Sequence, residues 1–426
     1  MTLNRNIQPP LTIPSKINVP MSEVCYSQQG VALHKVSVKD HNVLRLSIVF
    51  NAGVKYQHSP FVASSTLNMM SEGTQKYTAE ELAEIQDFYG LNYEATMDRD
   101  YAIVSVCTLP KFLPQALEML EQMVIYPRFD KNDLERYAQK RKQQIQIRRQ
   151  KISYRAQELF ARALFGQEHP YGCSYDAELY DNLTPEMLCE FHKKHYTRDN
   201  CFAVCSGNLT DECVGKIVNM LDRIPKGDSA CVEPTFGEIE QTPVITESVD
   251  DSLQSALRMG RMLFTRNHPD FNGMQILSTI LGGYFGSRLI SNLREERGYT
   301  YGIYSTMVNL SRSGYLAIST EVAAETTEDS LRQIRYEMAR LRDELVSDEE
   351  LSAVKNIMIG DIMRILDGPF GIADVTIENI QNGTDNSTVV DFFNEIKNVT
   401  PQRIRELARK YLTEDDFVTV IVGKIP

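Results

Sequence analysis

The sequence predicts an α+β protein built from two homologous domains. Three observations carry this. Residues 184–207 (TPEMLCEFHKKHYTRDNCFAVCSG) and 400–423 (TPQRIRELARKYLTEDDFVTVIVG) align at a constant offset of 216. That offset pairs Thr184 with Thr400, Pro185 with Pro401, Glu190 with Glu406, Asp199 with Asp415, Val204 with Val420 and Gly207 with Gly423. A second match, at offset 214, sets Tyr101-Ala-Ile-Val-Ser beside Tyr315-Leu-Ala-Ile-Ser. Between the copies, residues 225–243 (PKGDSACVEPTFGEIEQTP) are rich in Pro, Gly and acid, the composition of a linker. The expected domains are therefore 1–224 and 244–426. A repeat of this length is too long for a solenoid.

Each element then has a local reason. Both copies of the first match read as an N-cap Thr, Pro at the first helical position, an amphipathic helix, a turn and a strand. The second match reads as a strand with a helix after it. In the later copy, Leu331, Ile334, Met338, Leu341 and Leu345 recur at alternating spacings of three and four, which predicts a core-facing helix over 327–345. Two capping boxes fit the scheme, Thr78 with Glu81 and Ser347 with Glu350.

Composition narrows the function classes. Hydrophobic content of 42% and charged content of 24% are those of a globular protein. No run approaches 18 apolar residues, and the polar, proline-rich start (MTLNRNIQPPLTIPSKINVP) has no apolar core. No membrane span and no signal peptide are therefore expected, and the expected compartment is the cytoplasm. The eight Cys are scattered without a CxxC pair, and reduced thiols are expected; Cys201 and Cys205 alternate with apolar residues in a strand. A net charge of −12 argues against nucleic acid as the main partner. Against that balance, Arg136 to Arg155 hold eight basic residues and no acidic one. They form either a solvated helix face or a positive wall toward an acidic peptide or partner.

Residues 49–74 read VFNAGVKYQHSPFVASSTLNMMSEGT. This resembles the opening of the pitrilysin/insulinase family of zinc peptidases, the inverzincins. There, a strand and a small-residue turn lead into a helix that carries HxxEH and closes with Gly-Thr. Anchored on Gly73-Thr74, those positions fall on Ser64, Ser65, Thr66, Leu67 and Asn68. In a working site two His at i and i+4 bind zinc and the Glu at i+3 acts as general base. The family's third ligand, a Glu 76 residues on, falls on Gln144. A hydroxyl, an aliphatic side chain and two amides replace the whole set, so no metal is expected in this chain. No displaced HExxH or HxxEH exists among the seven His. His192 and His195 lack an acidic or Cys partner at ligand spacing, and read as a helix end with two partly exposed imidazoles. His58 reads as a loop residue.

Residues 282–305 (GGYFGSRLISNLREERGYTYGIYS) resemble the family's second-half signature. Its Arg/Tyr pair falls on Arg294 and Tyr301. In the family these side chains reach into the zinc site and hold the substrate backbone, and a guanidinium fork and a phenol can both donate to carbonyl oxygens. The residue-level alternative is a surface ion pair for Arg294 and a half-buried strand position for Tyr301. Gly282 and Gly283 open a loop that lacks the P-loop GKS/T ending, and are expected to let it pass close to substrate or another chain. HPYG at 169–172 also resembles a first-half element of the family.

The resemblance covers about residues 25–425. It implies two halves, each a mixed, mainly antiparallel sheet backed by helices (the LuxS/MPP-like arrangement), and pairing of two such chains around a chamber. The wording of the second half is most similar to insulinase-family proteins of Bacteroides-type bacteria. The implied function is that of a non-catalytic, substrate-binding subunit in a processing-peptidase-like heterodimer. An HxxEH-bearing partner would supply the zinc, and the substrate would be a peptide. The alternatives are a homodimeric peptide-binding scaffold, and a peptidase with an unrecognised metal site.

Overall fold

The computed structural model describes residues 12–228, 232–237 and 239–424. Much of the stretch read for a leader (residues 1–11), and Cys231, lie outside the described residues. Strands β1 (Glu23–Tyr26), β2 (Ala32–Ser37), β3 (Leu44–Phe50), β4 (Asn92–Met97), β5 (Ala102–Thr108) and β6 (Cys201–Gly207) form one sheet, ordered β1-β2-β6-β3-β5-β4. Strands β7 (Val244–Ser248), β8 (Gln254–Leu263), β9 (Thr300–Asn309), β10 (Gly314–Ala323) and β11 (Val418–Gly423) form the other, ordered β7-β11-β8-β10-β9. Apart from β1, the second order repeats the first. In each sheet the named pairs are antiparallel except one, β2 with β6 and β7 with β11. The expected mixed, mainly antiparallel sheets backed by helices are what the chain forms.

The first half adds α1 (Val62–Met69), α2 (Ala79–Tyr89), α3 (Leu113–Ile125), α4 (Lys131–Arg149), α5 (Ile152–Phe165), α6 (Pro185–His195) and α7 (Asp211–Leu221). The second adds α8 (Phe271–Ser278), α9 (Thr327–Asp343), α10 (Asp348–Ile365), α11 (Pro369–Gln381), α12 (Ser387–Asn398) and α13 (Pro401–Tyr411). The repeat is visible in the caps. Thr184 accepts from the Met187 N–H at the start of α6, and Thr400 accepts from the Arg403 N–H at the start of α13.

Each sheet has a core on both faces. Ile48, Phe50, Ala203 and Cys205 point into the larger core of the first half, and the alternate residues Val49 and Val204 point the other way. That second face of the first sheet is covered by Ala373 and Ile377 of α11, a helix of the second half. The converse holds at the second sheet. Leu257 and Ile318 face their own helices, while Ala256, Ala317 and Val420 pack on Phe160 and Leu164 of α5, a helix of the first half. Burial on both faces explains why β3 and β11 read as nearly continuous apolar runs. A buried ionic cluster adds to the contact between halves. Lys55 Nζ lies 2.9 Å from Asp100 and 2.6 Å from Glu233, and Asp100 accepts from the Ser311 N–H and hydroxyl at 3.0 and 2.7 Å. Tyr171 of the HPYG tetrapeptide also donates to Asp100.

Three local expectations need correction. Leu345 lies beyond the end of α9 and is 44% exposed, because the chain turns extended at Glu344 and buries Val346 instead. At α10 only half of the capping box forms: Ser347 accepts from the Glu350 N–H, but the Glu350 carboxylate accepts from Nε and Nη2 of Arg288 at 2.8 and 2.9 Å. The Thr78–Glu81 box is complete. Finally, His192 and His195 are buried rather than partly exposed. His192 stacks on Tyr196 and bonds the Val124 carbonyl at 2.8 Å, and His195 packs on Phe191 and Tyr56. Burial holds both imidazoles down to about 4.

Candidate functional site

Helix α1 begins at Phe61, which holds a left-handed φ of 66° while its ring stacks on Tyr180 at 4.0 Å. Few non-glycine residues adopt that conformation, so α1 starts under local constraint. One turn further on are the positions that resemble the zinc motif. Leu67 is buried in the first core, where it serves packing. The Ser64 hydroxyl donates to the Phe61 carbonyl at 3.2 Å, and the Asn68 amide donates to the Ser64 carbonyl at 2.6 Å. Both bonds run back along the helix.

Helix α4 brings Gln144 to the same place, and with it a residue the sequence reading did not single out. Arg141 donates to Asn68 Oδ1 at 3.0 Å and to Gln144 Oε1 at 3.1 Å, and its guanidinium lies 5.1 Å from the Tyr137 ring centroid. A fixed cation thus bridges two of the positions where the resembled family would place ligands around a dication. The donor set does not fit zinc. Neutral amides are poor ligands, and the guanidinium would repel the ion. Among the described residues no group of three His, Cys, Asp or Glu could hold a metal. Arg141 was one of the eight basic residues in the run from Arg136. Of the others, Lys142 pairs with Asp181, and Arg149 with Glu158 and Asp176, while Arg136, Lys140, Arg148 and Lys151 are exposed.

In the second half, Arg294 lies on a π-helical segment, Ile290–Glu296, and Tyr301 near the start of β9. The two side chains meet. The Arg294 guanidinium lies 5.0 Å from the Tyr301 ring centroid and 4.9 Å from that of Phe285, and it also pairs with Glu295 at 3.2 Å. Tyr301 is 88% exposed and Phe285 62% exposed. Tyr301 is therefore no half-buried strand residue, and its ring is held by the cation beside it. The register explains its position. Ile303 pairs with Thr320 and Thr300 with Val322, so Tyr301 and Gly302 together face Glu321. Such a bulge re-aims a side chain, and here Tyr301, Tyr304 and Glu321 line one groove.

Gly282 differs from its expected role. It is buried, and a Cβ there would come within 2.6 Å of the Ser305 nitrogen, so the missing side chain lets the segment pass its own strand β9. Gly283 is exposed.

The two regions are joined by one concave surface. A cavity of about 390 Å³ has Phe61, Ser64, Arg258 and Tyr315 in its wall, and the groove lined by Tyr301 and Tyr304 begins at the same Arg258. Strand β9 is the free edge of its sheet among the described residues. An edge strand presents outward N–H and C=O groups for pairing, although at the bulge Gly302 already bonds the hydroxyls of Thr300 and Thr320. No helix among the described residues is long and apolar enough to cross a membrane.

Comparison with known proteins places this architecture. The profile for "Insulinase (Peptidase family M16)" matches residues 58–170, and that for "Peptidase M16 inactive domain" matches 182–358. The chain is 24% identical over 357 residues to a Bacillus subtilis protein described as the uncharacterized zinc protease YmxG, covering 83% of this chain and 86% of that one. It is 19% identical over 306 residues to the probable inactive metalloprotease YmfF of the same species, covering 70% and 71%. The crystal structure of a peptidase M16 inactive domain from Pseudomonas fluorescens superposes with a TM-score of 0.84 at 23% identity, over 95% of this chain and 98% of that one. Taken together, the two models over residues 58–170 and 182–358 show that the chain belongs to the insulinase (M16) peptidase family.

Proposed function

We propose that this chain is the substrate-binding subunit of a two-chain zinc endopeptidase, whose HxxEH-bearing partner brings the metal, the general base and the water. One observation carries the reading: the half-buried Arg294 holds the exposed ring of Tyr301 at the bulged start of a strand that is a sheet edge among the described residues. An extended peptide would add to β9 as a further strand, a mode that reads backbone more than sequence. Arg294 and Tyr301 would then donate to a substrate carbonyl oxygen and steady the charge that develops on it. The closed network at Ser64, Asn68 and Gln144 supports the division of labour, since no chemistry is left to this chain's own α1.

The test is an affinity pull-down of the tagged chain from its own cells, with mass spectrometry of stoichiometric partners. A partner of similar size that contains HxxEH supports the split peptidase. Recovery of the chain alone, as monomer or homodimer, rejects it in favour of a peptide-binding scaffold.

A further inference from the structure

The cavity under α1 is walled largely by aromatic rings, among them Phe61, Tyr154, Tyr175 and Tyr315. Its volume of about 390 Å³ suits a small group or part of a peptide. Two guanidinium groups also line it, from Arg99 in the turn between β4 and β5 and from Arg258 in the middle of β8.

These two arginines differ from their peers. Arg45, Arg261, Arg266 and Arg288 are also largely covered, and each has a carboxylate partner: Asp374, Asp416, Glu378 and Glu350. Among the described residues neither Arg99 nor Arg258 has one. Arg99 donates to the Pro170 carbonyl at 3.2 Å. Glu158, in the same wall, is already held by two nitrogens of Arg149. Glu321, the acid that acts on Arg258, is exposed in the neighbouring groove. Burial disfavours the charge on Arg258, and a desolvated cation without a counter-charge costs stability. Both guanidiniums act on one phenol. Burial raises Tyr315, and Arg99 and Arg258 each oppose that rise.

We infer that this cavity is a recognition pocket for a carboxylate of the bound peptide, with Arg99 and Arg258 as its donors and the aromatic walls excluding water. The inference rests on the reading of β9 as a peptide-binding edge. Arg258 borders both the cavity and the groove of Tyr301 and Tyr304, so a peptide on β9 can present either its C-terminal carboxylate or an acidic side chain. Paired guanidiniums suit that planar anion through charge-assisted bonds.

The test uses the full chain and short peptides labelled with an uncharged fluorophore in three forms: free acid, C-terminal amide, and amide with one internal Glu. Fluorescence anisotropy reads each Kd. The free acid or the Glu peptide should bind about tenfold or more tightly than the neutral amide. Which of the two does so identifies the source of the carboxylate. Arg258→Gln and Arg99→Gln should each shrink the preference to under about threefold. Arg258→Lys keeps the charge and should retain part of the preference, which separates loss of recognition from loss of fold. Equal affinity for all three peptides in the unmodified chain overturns the pocket while sparing the groove. No binding of any peptide overturns the groove reading, and the pocket with it.

Discussion

The α1 region and the start of β9 are both polar sites on one concave surface, and they are finished in opposite ways. At α1 the groups bond to one another. Ser64 and Asn68 donate back along the helix, and Arg141 satisfies the acceptor oxygens of Asn68 and Gln144. At β9 the groups are held but not covered, since Arg294 rests between two exposed rings at an unpaired strand edge. The difference teaches how two polar regions of one scaffold can be finished in opposite ways, one closed on itself and one left open. A buried polar network stabilises when it is complete, so replacing metal ligands favours residues that satisfy each other. A surface that handles ligand has to stay unsatisfied until the ligand arrives.

The sharpest way to break the contrast is to reopen the closed region. Ser64→His, Asn68→His and Gln144→Glu rebuild three ligands and leave Leu67 in the core. With Arg141 in place this variant should hold almost no zinc, and adding Arg141→Ala should bring the content to about one ion per chain by elemental analysis. Stoichiometric zinc with Arg141 still present would refute its role as a fixed substitute for the metal. Next in size, Arg294→Ala or Tyr301→Ala should lower the peptidase activity of the mixed complex at least about tenfold, with the melting temperature of this chain little changed. Unchanged turnover in both variants removes them from substrate handling.

The converse change is smaller. Arg141→Met should cost on the order of 1–2 kcal/mol in denaturant unfolding, because two bonds are lost at half-buried groups, and should leave turnover of the complex unaffected. A loss of turnover with no loss of stability would reverse the assignment of the two regions. The mildest effect is acid sensitivity from α6, which packs against α1. His192 and His195 titrate near 4 when folded and near 6.5 when unfolded, so the unfolded chain takes up protons first. Their contribution is complete above about pH 6.5 and is lost as pH falls toward 4, with a slope of about 1.4 kcal/mol per pH unit for each histidine. Unfolding curves across this range should show the slope, and His192→Asn should remove about one proton's share of it. An unchanged slope in that variant would show that His192 is not its source.

Much of the fold was legible because the repeat writes the same caps twice. Thr184-Pro185 and Thr400-Pro401 start helices of equal length, each leading through a short turn into an interior strand of its sheet. The degenerate motif was legible because Gly73-Thr74 fixes its register. Arg141 was harder to find, since Asn68 lies 73 positions away and seven other basic residues of the same run disguise it. A signal did exist: it sits three residues before Gln144, on the same helical face. Arg258 had a plainer signal, a charge inside the apolar run of a central strand. The buried histidines of α6 had none, because a polar helix end looks solvated until Phe129, Phe191 and Tyr196 close over it.

The crossing of α5 and α11 bears on the ancestry of the chain. The two helices hold equivalent places in the repeat, beginning at Ile152 and Pro369, and each covers the sheet of the opposite half. A single half with its own α5 equivalent extended would leave one apolar sheet face bare and one amphipathic helix without a seat. Two identical copies of such a half would satisfy both needs by exchanging this helix as a symmetric pair. In a fused chain that exchange is intramolecular, and each half is free to change alone.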